Sequence, residues 1–415
     1  MRILWMVFGV LLISRGLPAQ QDPVAWIRSA WEDSIYKKLG YLVAFRENHA
    51  QTLRWLDRIE LRSGTREFNL DQQEYGLRMY GSNPAEIRYR NRLESVEVRY
   101  YQAMAEDALH DALAYRYRVL AKLYILEKQN KLRKEQQAFQ DKKTAYLEAL
   151  FQNQLDLELK DLIQAYRKKS KLQTVQSSLA RDKTAVNYKI SFAGSGDSLV
   201  IGDFNWISAE GIKNVLQQDP DLPPGGSLTL VRLRQEKEKL LLEEKRVKED
   251  KWNVLDFVQI QWRNNPNDVL IREKLNIGAG IRLPYSGSSK RDQNQVLIEQ
   301  LTVDAELDEF EKEYRLTTRT LKQEIEQLLL KLEEETNQLN EFEKKFRNTS
   351  LLSHPLTTRQ DALLIEEIIL DGLEEALDTE EKLIHKYVDY LDHVRIISHA
   401  PYRNYLHAGI GLLGD

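Results

Sequence analysis

The sequence predicts a mainly α-helical, internally duplicated chain that also carries membrane-type β structure. Three observations predict it. Very long stretches lack both glycine and proline and repeat their apolar residues at helical spacing. Two short alternating segments, alike in sequence, each lead into such a stretch. After an apolar N-terminus, no later segment approaches the ~20 apolar residues of a membrane helix, so any insertion into a bilayer must use strands.

The N-terminus reads as an export signal. Arg2 supplies positive charge, Ile3 to Ile13 is apolar but too short to span a bilayer, and Leu17-Pro18-Ala19-Gln20-Gln21 follows. A signal peptide over residues 1–20, cut near Ala19 or Gln20, is expected; an uncleaved anchor is the alternative. The mature chain is then expected outside the cytoplasm. The 415 residues include no cysteine, which excludes disulfides, thiolate chemistry and a lipid carried by an N-terminal cysteine. A formal charge of -4 argues against nucleic acid as a partner, because neutralising phosphates needs a basic excess. Charged residues make up 30% of the chain, a level that suits long solvated helices.

Between Ala85 and Ala193 there is neither glycine nor proline. A straight helix of that run would exceed ~150 Å, so the run must fold back on itself. Its first turning point is expected near Phe151-Gln152-Asn153-Gln154. A second such run spans Ser288 to His354, with Leu297, Leu301, Leu307, Phe310, Tyr314, Leu321, Ile325, Leu328 and Leu332 as its apolar stripe. A third helical stretch runs from about Leu356 to His399 and is interrupted by Gly372. Such stripes alone describe any coiled coil.

The segments between the helices change that. In Lys274-Leu275-Asn276-Ile277-Gly278-Ala279-Gly280-Ile281-Arg282-Leu283, the residues Leu275, Ile277, Ala279, Ile281 and Leu283 alternate with Lys274, Asn276, Gly278, Gly280 and Arg282. About ten residues of this pattern match one tilted strand of a membrane barrel, apolar toward lipid and polar toward a wet lumen. Upstream, Val258, Ile260 and Trp262 alternate with Gln259, Gln261 and Arg263. Trp252 and Trp262 suit the aromatic girdles of the two interfaces. Asn264 to Asp268 is a loop by its turn chemistry. A half-buried strand of a soluble sheet would look the same, but here the pattern occurs twice. Tyr75-Gly76-Leu77-Arg78-Met79-Tyr80-Gly81-Ser82 resembles Ala279 to Gly287, with Tyr75, Leu77 and Met79 on the lipid side and Arg78 on the lumen side. A strand around Trp55 to Arg62 completes the first hairpin.

Two hairpins make four strands, whereas a closed membrane barrel needs about eight. Unpaired strand edges are not tolerated in hydrocarbon, so several chains must share one barrel. The expected organisation is a first repeat over residues 21–190 with its hairpin at about 55–81, an equatorial α/β segment over 191–226, and a second repeat over 227–415 with its hairpin at about 252–285. Asn187 to Ile201 is expected as short strands, and Ser208 as the N-cap of a helix.

The order of these elements resembles the TolC-like outer-membrane efflux and secretion channels. Ile207 to Gln218 looks like the family's equatorial helix. Gly278 to Pro284 followed by Ser286-Gly287 is similar to its strand ending in proline and a small-residue turn. Ile369-Leu370-Asp371 and Tyr387-Val388-Asp389-Tyr390-Leu391 match its Leu-Asp and Tyr-x-Tyr-Leu motifs. The resemblance implies a homotrimer with a shared transmembrane β-barrel, four strands per protomer, joined to a long α-helical barrel in the periplasm; the run from Gly287 corresponds to roughly 90 Å or more of helix. It implies an outer membrane of the Gram-negative type, contact with its lipid, and a passive exit duct without enzymatic activity or cofactor. It also implies coupling to an inner-membrane transporter through a periplasmic adaptor, or membrane fusion protein. Two features depart from the family: neither helical tip carries the usual Gly-Leu pair, and the helix before the first strand is short. They bear on adaptor docking rather than on fold.

The same resemblance places Asp371 in a periplasmic constriction, with Arg347, Arg359, Asp361 and Glu367 as nearby candidates for closing contacts. A ring of carboxylates at a narrow site focuses the field and selects cations. The plainer reading of each is a solvated surface charge. The seven histidines show no metal spacing, Gly194-Ser195-Gly196 lacks the lysine of a phosphate loop, and no nucleophile constellation stands out. The alternative to a duct is a periplasmic adaptor or secreted coiled-coil scaffold without a pore.

Overall fold

The structure is a computed structural model that describes residues 22–49, 56–65, 73–81, 84–153, 159–191, 199, 204–218, 227–250, 255–263, 274–281, 286–346, 359–399 and 403–408. The elements are α1 (Pro23–Arg28), α2 (Ser34–Asn48), β1 (Leu56–Thr65), β2 (Gln73–Gly81), α3 (Pro84–Gln152), α4 (Leu159–Ile190), α5 (Ala209–Gln218), α6 (Leu228–Asp250), β3 (Leu255–Arg263), β4 (Leu275–Ile281), α7 (Ser286–Phe346), α8 (Arg359–His393) and α9 (Ile396–His399). A 3₁₀ turn over Ser29–Glu32 follows α1. No helix among the described residues is long and apolar enough to cross a membrane.

Two compact units share the chain. One comprises residues 35–107 and 224–314. It holds the sheet together with α2, α6 and the first parts of α3 and α7. The four strands run antiparallel in the order β1-β2-β3-β4, so sequence neighbours are also spatial neighbours even where α3 to α6 intervene. In the helical part of this unit Val96, Leu230, Leu233, Val296 and Val303 are buried. Ion pairs frame them: Arg46 to Glu94 and Glu97 at 3.5 Å, Arg99 to Glu238 at 2.8 Å, and Lys237 to Asp304 at 2.6 Å. The buried seam of α7 here runs through Val296 and Val303, whereas Leu297 and Leu301, expected on the stripe, are exposed.

The other unit comprises residues 1–34, 108–223 and 315–415. Along α3, Leu113, Tyr117, Leu120, Ala121, Leu123, Ile125 and Leu126 are all almost fully buried. These positions go around the helix rather than along one stripe, as expected of a helix covered on several sides. One cover is α1: Trp26, Ile27 and Ala30 are buried, and the buried Arg116 donates to Ser29 Oγ at 2.9 Å and Ser29 O at 3.0 Å. Another is the C-terminal segment, where Ile207 N donates to Leu406 O and Ala408 N to Asn205 O, both at 2.8 Å. Tyr117 ties these together, donating to Arg403 O and accepting from Tyr405 N, each at 3.1 Å. The α5 start is capped as expected: Gly211 N donates to Ser208 Oγ at 3.1 Å. A Cβ at Gly211 would meet Ile207 at 2.7 Å, which is why glycine sits there. Asn187 to Ile190 belong to α4 and not to a strand, because the apolar seam Ala165, Val186 and Ile190 keeps the helix docked to its last turn. Further along, Leu132, Phe139, Leu370 and Leu377 form a core between α3 and α8.

Candidate functional site

The first candidate site is the sheet. Residues directly opposite each other in a ladder share a face, so the register assigns the faces. One set of ladders reads Ser63-Tyr75-Trp262-Leu275, Leu61-Leu77-Ile260-Ile277 and Ile59-Met79-Val258-Ala279. The other reads Arg62-Gly76-Gln261-Asn276 and Glu60-Arg78-Gln259-Gly278, with the pairs Arg58-Tyr80 and Phe257-Gly280 on the same face and the Tyr80 and Phe257 rings 6.0 Å apart. All four strands thus put mainly apolar residues on one face and mainly polar residues or glycine on the other; Ser63, Thr65 and Gln73 at one end and Phe257 at the other are exceptions. Leu61 is 85% exposed, Ile277 68% and Ile281 67%, so the apolar face is uncovered in the single chain. A patch of that kind on a soluble monomer would be a liability for aggregation.

A bulge appears once per hairpin, between Leu56 and Arg58 and between Leu255 and Phe257. Each extra residue is an aspartate, Asp57 or Asp256, and each bulge restores Leu56 or Leu255 to a register position on the apolar face, opposite Gly81 or Ile281. Most polar side chains of β1, β2 and β3 on this face are hydrogen-bonded to one another. Glu60 takes Arg58 at 2.7 Å and Arg62 at 2.8 Å, and Tyr80 donates to it at 3.1 Å. Glu74 takes Arg263 at 3.2 Å and Gln261 at 2.7 Å. Phe257 was not legible as part of this site: it lies on the polar face at Gly280, where a Cβ would meet its ring at 2.3 Å. The signal was available in the Gly-x-Gly of β4 opposite an aromatic strand, since a ring can cover a strand glycine.

Among the sequence-expected residues, Leu275, Ile277, Ala279, Ile281, Tyr75, Leu77, Met79 and Trp262 fall at positions of the apolar face. Asn276 and Arg78 fall on the polar face. Lys274 immediately precedes β4, and Leu283, Arg282 and Trp252 lie outside the described residues.

The second candidate site lies on α8. Glu367 accepts from Lys143 of α3 at 2.6 Å and from Lys168 of α4 at 2.7 Å; Asp371, 60% exposed, sits 4.0 Å from Lys168. Glu374, which the sequence did not single out, pairs with Arg133 at 2.7 Å and takes Gln136 at 2.7 Å. Glu367, Asp371 and Glu374 follow one another at four- and three-residue steps, so one helix face carries all three. They line a cleft of about 290 Å³ together with Gln140 and Lys171. Partial burial pushes the Glu367 carboxyl up, but the hydrogen bonds and charges of Lys143 and Lys168 outweigh it and hold it below the ordinary carboxylate range. Glu374 is lowered likewise, against burial, by Arg133 and Gln136. Asp361 lines a neighbouring cleft with Glu367. Arg359 opens α8, its side chain outside the described residues, as is all of Arg347.

The charge distribution continues along α8: Lys122 meets Glu381, Lys128 meets Glu380 and Lys142 meets Glu366, always cation on α3 and anion on α8. At its far end the buried His110 Nε2 stands 2.8 Å from Asp392 Oδ1, and Arg118 pairs with the same carboxylate. Burial raises the Asp392 carboxyl, and His110 and Arg118 bring it below its ordinary value. Among the described residues no group of acidic, histidine or cysteine side chains could hold a metal ion.

No protein-family model and no curated protein matches the sequence. Solved structures do match. The outer membrane protein VceC of Vibrio cholerae aligns over 89% of this chain and 95% of its own, with a TM-score of 0.60 at 10% identity. CusC, solved in structures that concern transmembrane channel formation, aligns over 92% and 93%, with a TM-score of 0.62 at 9% identity. The outer membrane channel CmeC of Campylobacter jejuni aligns over 90% and 83%, with a TM-score of 0.55 at 12% identity. At such identities the likeness is one of fold, and the fold of this chain is that of the TolC-like outer-membrane channels.

Proposed function

We propose that this chain is one subunit of an outer-membrane exit duct, a homotrimer in which each copy lends its four strands to a shared barrel. The observation that carries the reading is the sheet: four strands in register, one face apolar and uncovered, the other polar and hydrogen-bonded, with β1 and β4 left as open edges. In this reading Leu275, Ile277, Ala279, Ile281, Leu283, Tyr75, Leu77 and Met79 meet lipid, and Lys274, Asn276, Arg282 and Arg78 meet the lumen. Trp252 and Trp262 sit at the membrane interfaces, and the chain is built of two repeats around an equatorial segment. The helical part extends into the periplasm, where Asp371 and Glu367, with Arg347, Arg359 and Asp361, form the constriction. The duct does no chemistry and serves an inner-membrane transporter through a periplasmic adaptor.

Fractionation and electron microscopy test the reading together. The protein should sediment with outer membranes, require detergent for solubility, and appear as a hollow particle with three-fold symmetry. A freely soluble monomer in the periplasm would favour the scaffold alternative.

A further inference from the structure

Resting on that reading, we propose that the wall of the duct selects for anionic solutes, and that Arg78 is the residue that selects. The polar face carries four guanidinium groups among its described residues, those of Arg58, Arg62, Arg78 and Arg263, against the two carboxylates of Glu60 and Glu74. Those carboxylates are already engaged. Glu60 binds Arg58 and Arg62, and Glu74 binds Arg263. Arg78 stands in the same ladder as Glu60, yet its partners among the described residues are neutral. Its Nε and Nη2 donate to Gln259 Oε1 at 3.0 Å and 2.7 Å, its Nη1 to Tyr80 Oη at 3.4 Å, and its guanidinium lies 3.9 Å from the Phe257 ring centroid.

These contacts orient the cation without neutralising it. A guanidinium held by an amide and stacked on a ring keeps N–H groups for a carboxylate, sulfate or phosphate, and it does so in a fixed plane. Two strands away in the same ladder, beyond Gln259, the wall is empty of side chain: Gly278 ends the Arg78 ladder, and a Cβ there would meet nothing within 4 Å. Space for a solute therefore lies on the far side of Gln259, about 10 Å from the Arg78 strand and within reach of its field. Between low-dielectric walls an unbalanced fixed charge attracts counter-ions far more than in open water, and copies of the chain arranged around one barrel would repeat Arg78 at one height. At this height of the barrel the wall favours a solute with an exposed anionic group, whatever the carboxylates of α8 favour elsewhere.

The chain has no native cysteine, so a single Gly278→Cys reports on this site alone. Outer-membrane vesicles carrying it are treated with a negatively or a positively charged methanethiosulfonate reagent, each rate normalised to a small free thiol. At low salt the anionic reagent should be favoured on the order of ten-fold, and the preference should shrink at high salt. Arg78→Gln should bring the ratio near unity, and Arg78→Lys should restore most of it. Equal rates in the parent, a cationic preference, or a ratio untouched by Arg78→Gln would overturn the anion selection while leaving the wet wall intact. Failure of either reagent to reach Gly278→Cys, with Ile277→Cys labelled instead, would overturn the duct reading itself.

Discussion

The tightest sequence constraint in the sheet is a glycine facing a ring. Gly280 leaves room for Phe257, whose nearest ring atoms would stand 2.3 to 2.8 Å from an added Cβ. Phe257 is also stacked under Arg78, so it cannot swing away freely. Gly280→Ala should therefore destabilise the protein by about 1–3 kcal/mol, the usual cost of forcing atoms into a packed site. Gly278→Ala, with nothing within 4 Å, should stay within roughly 0.5 kcal/mol of the parent. Denaturant unfolding in detergent, followed by circular dichroism, checks both, and equal stabilities would contradict the packing. The alternation of Leu275 to Ile281 was readable directly, because period two is the strongest signal a strand sends. Phe257 escaped because alternation treats any aromatic at a polar position as noise. The partner that explains it lies in another strand.

Helices show the opposite balance, with long elements legible and their partners hidden. The absence of glycine and proline marked α3, α4 and α7, yet nothing in α3 announced that Arg116 would clamp α1. Arg116 is buried, donates to Ala112 O at 2.9 Å and twice to Ser29, and lies over the Trp26 ring at 5.2 Å. Burial lowers its pKa, the expected sign for a cation drawn out of water. Arg116→Ala should cost about 2–4 kcal/mol, because Ser29 loses its partner and Trp26 loses its cover. Tryptic cleavage after Arg28 should become fast in that variant, and an unchanged cleavage rate would show that α1 is held by other means. The carboxylates of α8 were read from a motif, which pointed to Asp371. The better-connected group is Glu367, because only the packing of three helices brings Lys143 to one oxygen of its carboxylate and Lys168 to the other.

The α4–α8 contact has a pH window set by those groups. Glu367 is held below its ordinary 4.5, so its contribution is complete above that value and is lost as pH falls through the lowered one. Lys168 is drawn down by burial but raised on balance above 10.5 by Glu367 and Asp371, so its contribution is complete below 10.5 and lost as pH rises through the raised value. Hydrogen exchange in the first turns of α4, corrected for intrinsic rates, should show protection falling on acidification below about pH 4.5. Glu367→Gln should flatten that acid limb. A limb of the same size in the variant would assign the acid response to other carboxylates.

For the whole molecule, the strand count was readable but the closing of the sheet is not a property of one chain. The sequence supplies four strands, bulges at Asp57 and Asp256 that keep Leu56 and Leu255 at apolar-face register positions, and exposed apolar residues such as Ile298, Leu301 and Leu316 on α7. All of these await a partner surface, and a second copy of the same chain offers edges of matching direction. In an antiparallel sheet ordered β1-β2-β3-β4, the outer strands run opposite ways, so β4 of one copy can continue the ladder with β1 of the next. That head-to-tail contact is heterologous and closes only for a definite number of copies. A double variant with Arg62→Cys on β1 and Asn276→Cys on β4, treated with a bis-maleimide about 10 Å long, should join copies across that seam. Denaturing electrophoresis should show a ladder that stops at three chains. A product confined to one chain would place both edges against something else, and a ladder continuing past three would retain the shared barrel while discarding the trimer.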